Sequence, residues 1–167
     1  SQYLYIAKTG KSAKNITWSM ARKYNNAYKL GWVANIADQC FYQPNGARLI
    51  ITGADDPQLV DTFHGGKNRA VFLDEAPFWQ HIDIEQFCEE VITPTLADEK
   101  GVLRMMSRPG YRRAGFFWEC AHGKHPEWNV RKWSWEDNPH VRDNVRAFLA
   151  ARIAANPEIV ATAAFRR

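Results

Sequence analysis

Short unbroken apolar runs alternate along the chain with segments whose apolar positions recur every three or four residues. Residues 3–7 (YLYIA) form a run of strand length. Over 12–28, Ile16, Met20, Tyr24 and Ala27 fall at helical intervals and predict a helix. Segments 39–43 and 47–52 flank Pro44-Asn45-Gly46, and Asn-Gly between strand-like runs predicts a β-hairpin at about 39–52. A turn over 53–57 follows, with Pro57 placed to start a short helix. Residues 69–73 are a second strand-length run, closed by Asp74-Glu75. Helical spacing over 84–92 stops ahead of Pro94, and 101–106 is a further short strand. Segment 114–121 reads as helical and 130–135 alternates like a strand. Asp137-Asn138-Pro139 offers a capping residue ahead of a first-turn proline, so helices are predicted over 141–155 and 158–165.

Strands and helices therefore alternate, and the strands are apolar on both faces. That pattern belongs to an α/β layer fold, a mostly parallel sheet flanked by helices. In such sheets ligands collect beyond the carboxyl ends of the strands. Three predicted strand ends carry chemically useful groups: Lys8-Thr9-Gly10, Asp74-Glu75 and Ser107-Arg108-Pro109-Gly110.

Composition narrows the picture modestly. The 167 residues, 46% apolar and 24% charged, fit one soluble domain with a core of its own. Cys40, Cys88 and Cys120 are few, odd in number and far apart, which favours reduced thiols over a disulfide framework. No apolar run approaches membrane-spanning length and no signal peptide opens the chain, so no membrane association is expected. A net charge of +4, with a basic cluster at Arg104, Arg108, Arg112 and Arg113 and a tail at Arg166 and Arg167, permits a polyanionic partner. A solvated basic face explains the same charges. The chain begins almost directly on a strand, so an internal piece of a longer protein is expected.

"RAVFLDEAPFW" (69–79) carries the most chemistry. An apolar strand ending in adjacent carboxylates is the arrangement by which phosphate-loop ATPases hold the magnesium of Mg-ATP and polarise the attacking water. Adjacent residues at a strand end diverge, so Asp74 can face a metal while Glu75 faces water. A solvated acidic turn is the alternative. In "VLRMMSRPG" (102–110), Ser107 ends the neighbouring strand and can sense a terminal phosphate, Arg108, Arg112 or Arg113 can reach a phosphate or DNA, and Pro109-Gly110 makes a stiff turn; an ordinary Pro-Gly turn is the alternative.

Near the start, Gly10-Lys11-Ser12 matches the end of the signature Gly-x-x-x-x-Gly-Lys-Ser/Thr. The position of its first glycine is Tyr5, inside the strand, which leaves only Lys8 and Thr9 to form a loop. That is too short to wrap phosphates with backbone N–H groups. The favoured reading is a strand-to-helix turn with Thr9 or Ser12 as cap.

Taken in order, "YIAKTGKSAKNITW", "QPNGARLIITGADD", "VDTFHGGKNRAVFLDEA", "SRPG" and "WSWEDNPH" resemble successive segments of the large terminase subunit of tailed bacteriophages, in its ATPase domain. The resemblance runs through nearly the whole chain. It implies a P-loop NTPase-like fold of the RecA/ASCE type, with ATP and Mg as cofactors. Asp74 would hold Mg through water, Glu75 would be catalytic, Ser107 would couple phosphate state to movement, and Arg108 would lie near nucleotide. It also implies double-stranded DNA, a portal and a small terminase subunit as partners, a homo-oligomeric ring, and a place in the host cytoplasm at the procapsid. Two departures stand out: the family's upstream Walker A segment and its C-terminal nuclease domain have no counterpart here. A partial ATPase domain over 1–167, inactive by itself, is the expectation. Another P-loop ATPase or a helicase fragment, or a non-catalytic nucleic-acid-binding or assembly module, are the alternatives.

Other features carry less. Cys120, His122 and His125, with Cys88 or His140 as a fourth ligand, are a zinc candidate without the full structural-zinc spacing; exposed loop histidines are the favoured reading. His64-Gly65-Gly66 reads as a mobile loop. Trp18, Trp32, Trp118, Trp133 and Trp135 read as core. No nucleophile elbow is present.

Overall fold

The computed structural model describes residues 1–55, 63, 66–108 and 113–161. They fall into two compact units, Ser1–Glu119 and Cys120–Arg167. The first holds the sheet. Its strands are β1 (Gln2–Ala7), β2 (Val33–Asn35), β3 (Cys40–Tyr42), β4 (Arg48–Gly53), β5 (Asn68–Asp74) and β6 (Val102–Met106). They lie in the order β2-β3-β4-β1-β5-β6. Strands β4, β1, β5 and β6 are mutually parallel, and β2 and β3 extend one side antiparallel. The predicted mostly parallel sheet with flanking helices is what forms.

Helical segments cover both faces. β1 feeds α1 (Gly10–Ala13), a π-helical turn at Lys14–Trp18 and α2 (Ser19–Tyr28). Ala13, Trp18 and Ala21 bury against Ala7, Phe41 and Ile51. The second crossover runs α3 (Ile84–Gln86), a π-helical turn at Phe87–Ile92 and α4 (Thr93–Ala97). Thr95 on α4 accepts from the Asn68 side chain at 2.9 Å. Register pairs Gln2 with Asn68 but Tyr3 with Ala70, so a bulge between them keeps Asn68 on the Gln2 face while Phe72 and Asp74 join Tyr5. The two helical stretches therefore lie on opposite faces.

Several sequence expectations shift. The helix predicted to stop before Pro94 continues to Ala97. A π-helical turn just ahead of the proline widens the backbone, and the Thr93 hydroxyl caps the Cys88 carbonyl at 2.7 Å. The hairpin forms as β3–β4, but β4 also pairs parallel with β1, so its second strand belongs to the main sheet. Only Gly46 in its turn has positive φ (79°), while Asn45 caps the Ala47 N–H through its side chain. β2 had no distinct apolar signal.

In the second unit, α5 (Phe116–Ala121) crosses the boundary and α6 (Arg142–Ala155) is the long helix. The strand predicted over 130–135 is absent. That segment is exposed and ends in a 3-10 turn, Trp135–Asp137, capped by Ser134; among the described residues no neighbouring strand offers it backbone partners. Trp133, read as core, is 81% exposed, and Trp135 is exposed as well. Asn138 accepts the His140 N–H as a cap, yet the α-helix proper starts at Arg142. A 3-10 turn at Pro157–Ala161 replaces the start of the last predicted helix, whose remainder lies outside the described residues. The Pro57 helix, the His64-Gly65 pair, Pro109-Gly110, Arg112 and the Arg166-Arg167 tail also lie outside them. No described helix is long and apolar enough to cross a membrane.

Candidate functional site

All four parallel strands end at one edge of the sheet, and the groups singled out from sequence meet there. At the end of β1 the loop is Lys8-Thr9 alone. Thr9 Oγ1 accepts the Ser12 N–H at 3.1 Å and caps α1. The Gly10 N–H, which a phosphate loop would turn toward its ligand, donates to Asp55 Oδ1 at 2.8 Å. Gly10-Lys11-Ser12 is thus a strand-to-helix turn tied to the end of β4. The approach is so close that a Cβ on Gly53 would sit 2.0 Å from Gly10 N.

Asp74 closes β5 and Glu75 leaves it in the left-handed region, φ 55° and ψ 28°. The Glu75 N–H still donates to the Met106 carbonyl at 2.8 Å, so the turn is anchored to β6. This geometry separates the carboxylates. Asp74 Oδ2 turns back toward β1 and accepts from Tyr5 Oη at 2.5 Å. Glu75 Oε2 turns toward β6, 3.9 Å from Arg108 Nε. That pair is solvent-exposed and long, worth about 0–1 kcal/mol. The Arg108 guanidinium is better placed over Phe78, 5.2 Å from the ring centroid.

Two residues missed in the sequence hold this corner. Tyr5 reaches Asp74 from 69 positions away; burial first, then its bond to Asp74, push its hydroxyl up to about 12. Trp79 is buried and donates its indole N–H to the Asp74 carbonyl at 3.0 Å. Ser107 follows β6 with its Oγ buried and, among the described residues, without a hydrogen-bond partner. An orphaned hydroxyl at a strand end is a costly feature for a purely structural turn.

The donor set fits a hard cation. Asp74 keeps Oδ1 clear of the Tyr5 bond, and carboxylate oxygens with water are the ligands magnesium takes. Arg104 and Arg113 are exposed. Cys40, Cys88 and Cys120 are buried cysteines. His125 Nδ1 lies 3.4 Å from Glu127, and no described group of three or more His, Cys, Asp or Glu is placed to share one metal ion.

No protein-family model matches the chain. No curated protein matches it either. Solved structures do. The HK97 bacteriophage large terminase superposes with TM-score 0.59 at 17% identity, over 96% of this chain and 38% of that one. The fold is that of phage large terminase ATPase domains. A variant of the Thermus phage P74-26 large terminase ATPase domain gives TM-score 0.56 at 18% identity, covering 96% of this chain and 73% of that one. A further crystal structure of the same Thermus phage domain gives 0.50 at 20% identity over 66% of this chain, which spans 48% of it. The chain thus spans about half or less of two of these three.

Proposed function

We propose that the chain is part of the ATP-hydrolysing motor of a phage large terminase, which drives viral DNA into a capsid. The observation that carries this is the split Asp74-Glu75 pair at the end of a central parallel strand, beside Ser107 on the next one. Support comes from the shared fold. When bound, Mg-ATP supplies the phosphoryl group whose charge the site must stabilise. Asp74 would hold the ion through its waters, with Tyr5 and Trp79 fixing the carboxylate and its backbone. Glu75 would orient and deprotonate the attacking water, aimed by the turn that Met106 anchors. Ser107 would read the terminal phosphate, and Arg108 would offset charge there. The phosphate loop itself is expected on a separate segment, and the edge strand β6, with Val102 and Met106 exposed, has room for a further parallel strand. Double-stranded DNA, a portal, a small terminase subunit, a homo-oligomeric ring and action in the host cytoplasm at the procapsid belong to the same proposal.

The test compares ATP hydrolysis by the protein joined to its upstream sequence with that of its Glu75→Gln form. The expected result is a loss of about 10²–10⁴-fold in turnover with Mg-ATP binding retained. Undiminished hydrolysis by Glu75→Gln overturns the assignment. Double-stranded DNA binding by a protein that takes no nucleotide would favour a non-catalytic module instead.

A further inference from the structure

A groove along one flank of α2, between the helix and Trp32 and Leu49, is lined by none of the site residues above. Met20, Tyr24 and Tyr28 recur every four residues, so they stack along one stripe of the helix. They are 51%, 50% and 67% exposed. With Leu30, Trp32 and Leu49 opposite, they line a groove of about 360 Å³ with almost no polar lining. Isolated exposed apolar residues are ordinary; a continuous apolar groove on a helix face marks a docking site.

The groove is preformed. The Asn25 side chain accepts from the Trp32 N–H and donates to the Trp32 carbonyl, both at 2.9 Å, which pins the far wall to the helix. The Trp32 ring packs on buried Phe41, with centroids 6.1 Å apart. Tyr24 and Tyr28 stack with centroids 5.8 Å apart and planes 10° apart. A wall that needs no ordering loses little entropy on binding.

Charge names the occupant. Between Thr17 and Trp32, the segment that supplies most of the lining, every charged side chain is cationic: Arg22, Lys23 and Lys29. Lys23 lies within one turn of Met20, and Lys29 caps the helix next to Tyr28. No carboxylate lies between Thr17 and Trp32, so the helix side of the groove carries positive charge. We propose that this face docks an acidic amphipathic helix of a partner protein. The partner's bulky apolar side chains, one turn apart, fill the groove, and its carboxylates lie over the lysine rim. The inference is independent of the ATPase reading.

Two other occupants fit less well. A second copy would need an acidic helix with exposed bulky anchors. The α3–α4 stretch exposes Glu85, Glu89 and Glu90, but its Phe87 and Ile92 are buried. Exposed Phe148 on α6 stands beside Arg152, whose guanidinium lies over its ring. A nucleic acid matches the charge. However, the groove walls offer base edges almost nothing to bond, and the two tyrosines already stack on each other.

The full chain is titrated by fluorescence anisotropy with a labelled synthetic helix of Leu at one-turn intervals and Glu elsewhere. Parallel probes are a scrambled peptide of the same composition, the Lys-for-Glu peptide and a single-stranded oligodeoxynucleotide. The acidic amphipathic helix is expected to bind best, and more weakly as salt rises. Met20→Ser with Tyr24→Ser should weaken it by about tenfold or more. Lys23→Glu with Lys29→Glu should weaken it too, while Glu85→Gln leaves it unchanged. Circular dichroism on each variant separates lost binding from lost fold, and the half-exposed positions leave the core intact. Equal binding of the scrambled peptide overturns the proposal, as does affinity indifferent to the groove variants. So does preferential capture of the oligonucleotide, or self-association in sedimentation that the groove variants abolish.

Discussion

Glu75 adopts a left-handed backbone, φ 55°, at a residue type that does so only at a cost. That cost places its carboxylate on the β6 side while Asp74 turns to Tyr5. Glycine adopts the same conformation freely, so Glu75→Gly should be about 1 kcal/mol more stable than Glu75→Ala, read from urea midpoints. The reverse order would mean the turn is not strained. Tyr5 gives a second expectation. Its folded-state ionisation, raised to about 12, lies above the ordinary 10.0. The neutral phenol is therefore favoured in the fold. This contribution is fully present below pH 10 and disappears as pH rises toward 12. In Tyr5→Phe the alkaline loss of stability should be shallower, and tyrosinate absorbance should lack its latest-titrating component. An unchanged absorbance titration would assign that component elsewhere.

Elements are decided by close approaches as much as by propensity. The β1–α1 and β4 turns touch through Gly10 and Asp55, and Gly53 leaves no room for a side chain. Gly53→Ala should cost about 3 kcal/mol or more in denaturant unfolding. A cost below about 1 kcal/mol would show that the loops separate easily. The helical stretch through Pro94 makes a related point. Sequence rules end a helix at proline, yet a π-helical turn ahead of it lets α4 continue and place Thr95 on Asn68. Such a register change depends on what the helix packs against, and periodicity does not carry that. The alternation over 130–135 misled for the complementary reason: the pattern was there, but among the described residues no strand pairs with it.

At the scale of the molecule, every described strand and both described helical crossovers of the sheet lie within 1–119. A chain ending at Glu119 should therefore unfold cooperatively by itself, with a melting midpoint within a few degrees of the full chain. Broad, non-cooperative melting would make the second unit part of the first unit's stability. The apolar, lysine-rimmed groove belongs to this scale as well. Ile16, Met20, Tyr24 and Ala27 were legible as a helical stripe, but such spacing reads as a core face. Only the position of α2 over the sheet shows that Met20 and Tyr24 stay half-exposed along its flank.

The sequence by itself determined the class of fold and where its chemistry would gather. Apolar runs with polar ends define buried parallel strands, and local periodicity needs only near neighbours to be read. That sufficed to single out Asp74, Glu75, Ser107 and Arg108 as candidates, and to read Gly10-Lys11-Ser12 as too short for a phosphate loop. The tertiary structure alone decided what those groups face. Tyr5 and Asp74, or Gly10 and Asp55, meet through strand order and register, which are set by packing between segments dozens of residues apart. Contacts of that range leave no mark on the local pattern, and so the partner of each site residue emerges only once the chain has folded.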